Sequence, residues 1–197
     1  MYDKKKNKVT EIPTVNQLEN ELKRERYRRQ YGGVLRSTIF TLITVAALAV
    51  LVATLWMPVL QIYGTSMSPT LVNGNIVVSL KENNLRTGDV VAFYYNNKIL
   101  VKRVIAGPGD WVNIDADGTV YVNDRKLDEP YLTEHALGDC NIELPYQVPE
   151  SRYFVMGDHR SVSVDSRNTA VGCVAEEQIV GKLVFCIWPF KYFGRIA

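Results

Sequence analysis

The 197 residues are enough for one domain of ordinary size plus an appendage, and a formal net charge of +2 hides an uneven split. Residues 1–38 carry ten Lys/Arg against five acids, whereas residues 39–197 carry thirteen against sixteen, so the basic character is N-terminal and no nucleic-acid-binding face is expected on the folded part. Three scattered cysteines, Cys140, Cys173 and Cys186, exclude a disulfide framework and lack zinc-site spacing; they read as small buried hydrophobes, with one disulfide at most.

In chain order, residues 1–36 are expected to be a basic N-terminal segment whose extreme end is disordered. Within it, "TVNQLENELKRERYRRQYGG" (14–33) reads as a short polar helix stopped by Gly32-Gly33, with Thr14 and Gln17 placed for a capping box. Its basic end would rest on anionic lipid, or serve only as a solvated orientation signal.

From Ser37 to Leu80 the chain carries no charge. "STIFTLITVAALAVLVATLW" supplies about 20 predominantly apolar residues before Pro58, the length a helix needs to cross ~30 Å of hydrocarbon. A buried core helix would show a polar stripe; here only threonines interrupt the run, and their hydroxyls can bond back to the helix backbone. A cleaved secretory signal has a short basic lead and an apolar core of about 7–15 residues. Both the lead and the core are longer here, so residues 37–60 are expected to be an uncleaved transmembrane signal-anchor. Arg24, Arg26, Arg28, Arg29 and Arg36 ahead of it place the N-terminus in the cytoplasm, and Trp56 and Tyr63 suit the interfacial belt. Residues 61–197 would then form a domain outside the cytoplasm, held at the cell membrane by a single span.

Beyond residue 60 the pattern changes to short runs rich in Val, Ile, Tyr and Phe: "NIVVSL", "DVVAFYY", "KILVKRVIA", "WVNI", "TVYVN", "RYFVMG" and "IVGKLVFCIW". Turn chemistry separates them at "NG" (73–74), "TGD" (87–89), "GPGD" (107–110), "DADG" (115–118) and "NDR" (123–125). The expected fold is mainly β: the N-terminal helix followed by an antiparallel domain of coiled sheets, barrel-like or a sandwich. The aromatic tail "FCIWPFKYFG" reads equally as a bilayer-dipping surface or as a last core strand and cap.

Two histidines, His135 and His159, limit the chemistry. His159 neighbours Asp158, as a Ser-His-Asp triad would use it, but the two are adjacent in a loop and nothing aims the imidazole at a serine. No His/Cys/Asp cluster has metal-ligand spacing, so neither metal nor cofactor is expected. The other available base is a lysine, which must be neutral and hence desolvated to act. Lys102 in "ILVKRVIAG" shares its strand face with Leu100, Val104 and Ala106, while Arg103 falls opposite with Val101 and Ile105. On its own that placement is also met by a lysine snorkelling at a sheet edge.

"GTSMSPTL", "VKRVIAGPGD" and "GDHRSVSVDSR", in this order behind an apolar anchor, closely resemble the boxes of type I signal peptidases of the short, Gram-positive-like form. These are membrane-anchored serine proteases that remove signal peptides from exported proteins. The resemblance spans residues 40 to 190 and implies a Ser-Lys dyad with Ser66 as nucleophile and Lys102 as general base. It implies that Ser163 orients the lysine amine, that Asp165 and Arg167 form a supporting ion pair, and that Asp158 and Arg160 help build the surrounding structure. Met67 and Pro69 would shape the nucleophile's loop and, with Tyr63, Thr65 and Val101, contact the substrate; Ile76, Val78 and Val104 are further candidates for pocket walls.

Two departures stand out. Gly64 occupies a position where some relatives have an oxyanion-binding hydroxyl, which leaves the backbone N–H of Ser66 as first candidate donor. His159 stands where many have Asn. The implied substrates are pre-proteins cut after Ala-x-Ala-like sites, the implied partners the phospholipid membrane and the protein export machinery. Two other readings are weighed: self-cleaving repressors, which need a DNA-binding module where this chain has an anchor, and a catalytically silent binding module for exported chains.

Overall fold

The computed structural model describes residues 14–82 and 84–196, so the expectation for the extreme N-terminus lies outside the described residues. The chain divides into two units, Met1–Leu51 and Val52–Ala197.

One helix, α1 (Val15–Trp56), runs through both the polar segment and the apolar stretch. Gly32 and Gly33 do not stop it, contrary to the sequence expectation. Each glycine costs about 1 kcal/mol in a helix interior, too little to break a helix with strong formers on both sides, and neither adopts the positive φ of a C-terminal cap. At the start, Gln17 reaches back to the Thr14 backbone N–H (2.9 Å), the return half of the capping box. Thr38, Thr41 and Thr44 donate their hydroxyls to the carbonyls of Val34, Ser37 and Phe40, which is how an apolar helix tolerates them. By length and composition α1 can cross a membrane. It ends at Trp56, before Pro58, which has no N–H to continue the ladder. The expected limit of residue 60 therefore moves back, because Val59–Gln61 is already extended.

The strands are β1 (Val59–Gln61), β2 (Ile76–Leu80), β3 (Val90–Tyr95), β4 (Lys98–Ala106), β5 (Trp111–Ile114), β6 (Val120–Val122), β7 (Arg125–Lys126), β8 (Tyr146–Gln147), β9 (Arg152–Met156), β10 (Val174–Ala175), β11 (Ile179–Trp188) and β12 (Gly194–Arg195). They form an antiparallel eight-stranded sheet, ordered β1-β2-β11-β3-β4-β9-β10 with β12 beside β11, and a four-stranded sheet ordered β7-β6-β5-β8. The β6–β7 turn shows the local logic: Asn123 (φ 52°) and Asp124 (φ 62°) both take the left-handed conformation of a two-residue hairpin.

The core is in three parts. Ile105, Ala106, Phe154 and Met156 of the large sheet pack on Val112, Ile114 and Val120 of the small one. Leu85, Val91, Phe93, Val104, Tyr153 and Val155 form a second cluster. Ile62, Met67, Leu71, Val77, Val90 and Leu183 form a third, beneath residues 64–71. The register between β4 and β9 slips between Val104 and Ala106. Beyond that bulge strict alternation fails, and Ala106 joins Ile105 rather than Val104. Cys173 and Cys186 are buried and all three cysteines are free thiols.

Candidate active site

Residues 64–70 form a turn, and Met67 (2% exposed) and Leu71 (1%) sink into the core below and pin it. Its two ends are tied: Asn73 Oδ1 accepts from Gly64 N–H (3.1 Å), and Ile62 C=O accepts from Gly74 N–H (2.8 Å). Gly64 needs its glycine for conformation, since φ is +92°. Ser66 emerges half-buried from this turn.

Lys102, on the middle of β4, is 3% exposed, and its Nζ lies 2.8 Å from Ser66 Oγ. Burial lowers its pKa from the usual 10.5; the Asp165 and Asp158 charges pull it back up, while Arg167 pushes it down. The outcome is a lysine shifted toward the neutral form in hydrogen-bond contact with a serine hydroxyl.

The third sequence box closes the back of this pair. Gly157 N–H and Ser163 Oγ both donate to Asp165 Oδ2 (2.9 and 2.7 Å), and Arg167 grips both Asp165 oxygens (2.8 Å each). Burial by itself would raise the Asp165 pKa; the Arg167 hydrogen bonds and charge, with the Gly157 and Ser163 donors, hold it below its usual value. Ser163 thus gives its hydroxyl to Asp165, while the hydrogen bond from Lys102 Nζ goes to Ser66 Oγ. His159 donates its backbone N–H to the Ser66 carbonyl (3.0 Å), and its Nδ1 has no hydrogen-bond partner among the described residues. Asp158 is engaged by Arg103 through Nε (2.9 Å) and Nη2 (2.8 Å). That bidentate pair leaves Asp158 no part in a Ser-His-Asp arrangement.

A cleft of about 490 Å³ opens on the dyad, lined along one side by Leu60–Gly64, Ser66 and Met67 and along the other by Lys98–Lys102. Tyr63, Met67 and Val101 therefore border it, as expected. Thr65 and Pro69 are exposed and lie off its walls, and Val78 and Val104 are buried in the core behind. Ile76, in β2, is likewise off the wall. Among the described residues no group of three His/Cys/Asp/Glu side chains could hold a metal.

Sequence reasoning missed Arg103, Glu129, Tyr131 and Gly157. Arg103 is 1% exposed, binds Gly88 C=O (2.7 Å) as well as Asp158, and carries the Tyr131 ring 3.8 Å over its guanidinium. Its signal was available: a second cation in an apolar strand needs a buried carboxylate somewhere. Glu129 and Tyr131 gave no such signal, because "DEPYL" reads as an ordinary surface loop.

The family described as "Signal peptidase, peptidase S26" matches residues 35–188. The chain belongs to the signal peptidase family. Among similar proteins, signal peptidase IB of Staphylococcus aureus (strain COL) is 44% identical over 152 residues, covering 67% of this chain and 78% of that protein. Signal peptidase I of Bacillus licheniformis is 37% identical over 166 residues, covering 76% of this chain and 87% of the relative. A crystal structure of a signal peptidase I from Enterococcus faecalis V583 is 30% identical, with a TM-score of 0.42 over 51% of this chain and 97% of its own. As a signal peptidase this chain is a serine endopeptidase acting on signal-peptide-bearing substrates, and its apolar N-terminal helix fits membrane anchoring.

Proposed function

We propose that this signal peptidase cleaves with Ser66 as nucleophile and Lys102 as general base. The observation that carries the reading is the 2.8 Å contact between Lys102 Nζ and Ser66 Oγ where burial lowers the lysine's pKa. Ser66 Oγ attacks the scissile carbonyl carbon and its proton passes to Lys102 Nζ. The oxyanion is met by the backbone N–H of Ser66; Gly64 offers no hydroxyl, and its own N–H is held by Asn73. Lysinium then protonates the leaving amine as the C–N bond breaks, leaving an ester on Ser66. Lys102 takes a proton from water, whose oxygen attacks the ester carbon; the C–Oγ bond then breaks, the carboxylic acid leaves, and lysinium returns its proton to Ser66 Oγ. Asp165, held by Arg167, anchors Ser163 and Gly157 behind the dyad, while Asp158 and Arg160 support the same loop.

The substrate enters as an extended strand. β1 ends the large sheet's order, and Lys98–Lys102 pair with β3 only, since β9 joins β4 at Arg103. Both open edges border the cleft, so a peptide between them gains main-chain hydrogen bonds from each side. The shallow apolar walls around Val101 and Met67 favour small residues, which fits Ala-x-Ala-like sites. Residues 1–36 lie in the cytoplasm, residues 37–56 of α1 are the anchoring segment and the chain from β1 onward is the peptidase domain outside; the cluster of arginines before the apolar stretch supports that orientation. The export machinery delivers the substrates, and the exposed Trp188, Phe190 and Phe193 offer a bilayer-facing edge.

The test is incubation of the purified full-length protein with a pre-protein, followed by mass spectrometry of the new N-terminus. Ser66→Ala and Lys102→Ala should each abolish cleavage with the fold retained. Activity surviving in either variant refutes the dyad.

A further inference from the structure

Residues 127–145 join β7 to β8 with no strand or helix of their own. Irregular connections longer than about 12–15 residues usually carry a function, yet this one contributes nothing to the cleft walls. It wraps the 157–169 loop instead. Ala136 and Leu137 carbonyls accept from Arg167 Nη1 (3.3 and 2.7 Å), Asn141 N–H donates to Arg167 C=O (3.0 Å), and Asp139 accepts from Asn168 (2.7 Å).

The centre of this brace is Glu129. Three buried arginines surround the dyad, and each holds a buried carboxylate: Arg103 with Asp158, Arg167 with Asp165, and Arg160 with Glu129. The first two carboxylates belong to the catalytic box; Glu129 alone arrives from outside it. Its side chain is 1% exposed and takes Arg160 through both Nη atoms and the Tyr131 hydroxyl (2.8 Å). His135 Nδ1 lies 3.9 Å from its other oxygen.

From Glu129 two short routes reach the dyad. Arg160 Nε donates to Gly157 C=O (3.1 Å), and its own carbonyl is held by Arg167 Nη2 (3.0 Å). This fixes Gly157 and the following His159 N–H, which meets the Ser66 carbonyl. On the other route, the Tyr131 ring lies on Arg103, the residue after Lys102. We propose that Glu129 is a positioning residue of the signal peptidase reaction, setting the Ser66–Lys102 separation from both sides through Arg160 and Tyr131. The proposal rests on the assignment of Ser66 and Lys102 above.

The test uses full-length enzyme in detergent micelles and a peptide spanning a cleavage site, with kcat and KM measured across pH. Glu129→Gln keeps the side chain's shape and removes its charge. It should lower kcat about 10- to 100-fold with little change in KM, as a displacement of about 1 Å at a reacting pair does. Arg160 then lacks its counter-charge, adding to the positive field that Arg167 exerts on Lys102 against Asp165 and Asp158, so the acid limb should move to lower pH. Tyr131→Phe, which keeps the ring over Arg103, should lose less than Tyr131→Leu. Glu134→Gln, an exposed carboxylate on the same segment, should behave as wild type. A folded Glu129→Gln enzyme with wild-type kcat, or one defective only in KM, overturns the proposal. If Glu129→Gln does not fold, Tyr131→Phe and Tyr131→Leu decide it, and wild-type kcat in both overturns it. Cleavage by Ser66→Ala would instead remove the reading beneath it.

Discussion

Gly157 is where the 157–167 loop touches the Ser66 backbone, and adding one methyl there should separate the proposed Ser66–Lys102 dyad. A Cβ on Gly157 would lie 2.5 Å from the Ser66 carbonyl oxygen, 2.2 Å from Ser163 Oγ and 2.6 Å from Ser163 Cβ. Ordinary contact begins near 3.4 Å, so the Ser66 carbonyl must recede by about 0.9 Å and Ser163 by about as much or more. Neither can yield freely. Ser66 C=O is held by His159 N–H at 3.0 Å, and Ser163 Oγ is held by Asp165 at 2.7 Å. Because Gly157 does not occupy the left-handed region, alanine meets no backbone strain, and the effect is crowding alone. Overpacking of this kind costs about 1–3 kcal/mol of stability. A 0.9 Å retreat of the serine backbone would take Ser66 Oγ out of hydrogen-bond range of Lys102 Nζ, now 2.8 Å away, and costs about 100-fold in rate. Steady-state cleavage of a pre-protein-derived peptide, alongside thermal unfolding of the same sample, measures both effects. Adding Ser163→Ala should relieve the Oγ contact without restoring activity, since the Ser66 clash remains. Full activity in Gly157→Ala would show that the 157–163 loop does not set the serine's position.

Lys102→Met should raise the unfolding midpoint at neutral pH, because it removes a buried amine whose charged form burial disfavours. The sign follows from linkage. Between its lowered native pKa and 10.5, the unfolded chain binds a proton at Lys102 that the native state does not, so wild-type stability rises with pH across that interval and the variant loses this rise. The kcat/KM profile should accordingly have its acid limb below 10.5, and a limb governed by a histidine would contradict it. Asp165 behaves in the opposite sense: its native pKa is depressed, so its contribution is complete above about 4 and lost as pH falls through the native value, visible as acid unfolding that Asp165→Asn flattens. Arg103→Met should cost about 3–5 kcal/mol by stranding buried Asp158, and the double variant Arg103→Met/Asp158→Leu should recover most of it in chemical denaturation.

Local chemistry made much of this chain legible. The Val- and Ile-rich runs became strands, and "NDR" became a hairpin turn, because both are decided by neighbours in sequence. The Gly32-Gly33 stop failed because glycine is a weak local penalty that a long helix absorbs. On β4 Leu100 and Val104 share one cluster, as alternation expects, but Ala106 joins Ile105 beyond the bulge set by the partner strand β9. The pairing of Ser66 with Lys102 was expected only from the three boxes, and the structure brings the two side chains into contact. Their contact joins residues far apart in sequence, and only the resemblance brought them together. Glu129 had no sequence signature at all: its ion-pair partner, Arg160, lies on another loop, and nothing in "DEPYL" announces a buried carboxylate.

The arrangement of charge around Lys102 follows from two requirements that conflict. Holding Ser163 and the Gly157 N–H beside the serine calls for a carboxylate at Asp165, and anchoring the start of the same loop calls for another at Asp158. Bare carboxylates at those places would stabilise lysinium and make Lys102 a poor base. Arg167 and Arg103 pair each one at 2.8 Å; Arg167 also opposes the pull of Asp165 and Asp158 on the amine, and desolvation remains the largest influence on it. Hydrophobic residues of similar volume would be cheaper as packing, but they could not hold the backbone N–H of Gly157 or the hydroxyl of Ser163. Buried arginines are therefore the counterpart of the proposed lysine base: paired with them, carboxylates serve as scaffold while burial still lowers the lysine's pKa.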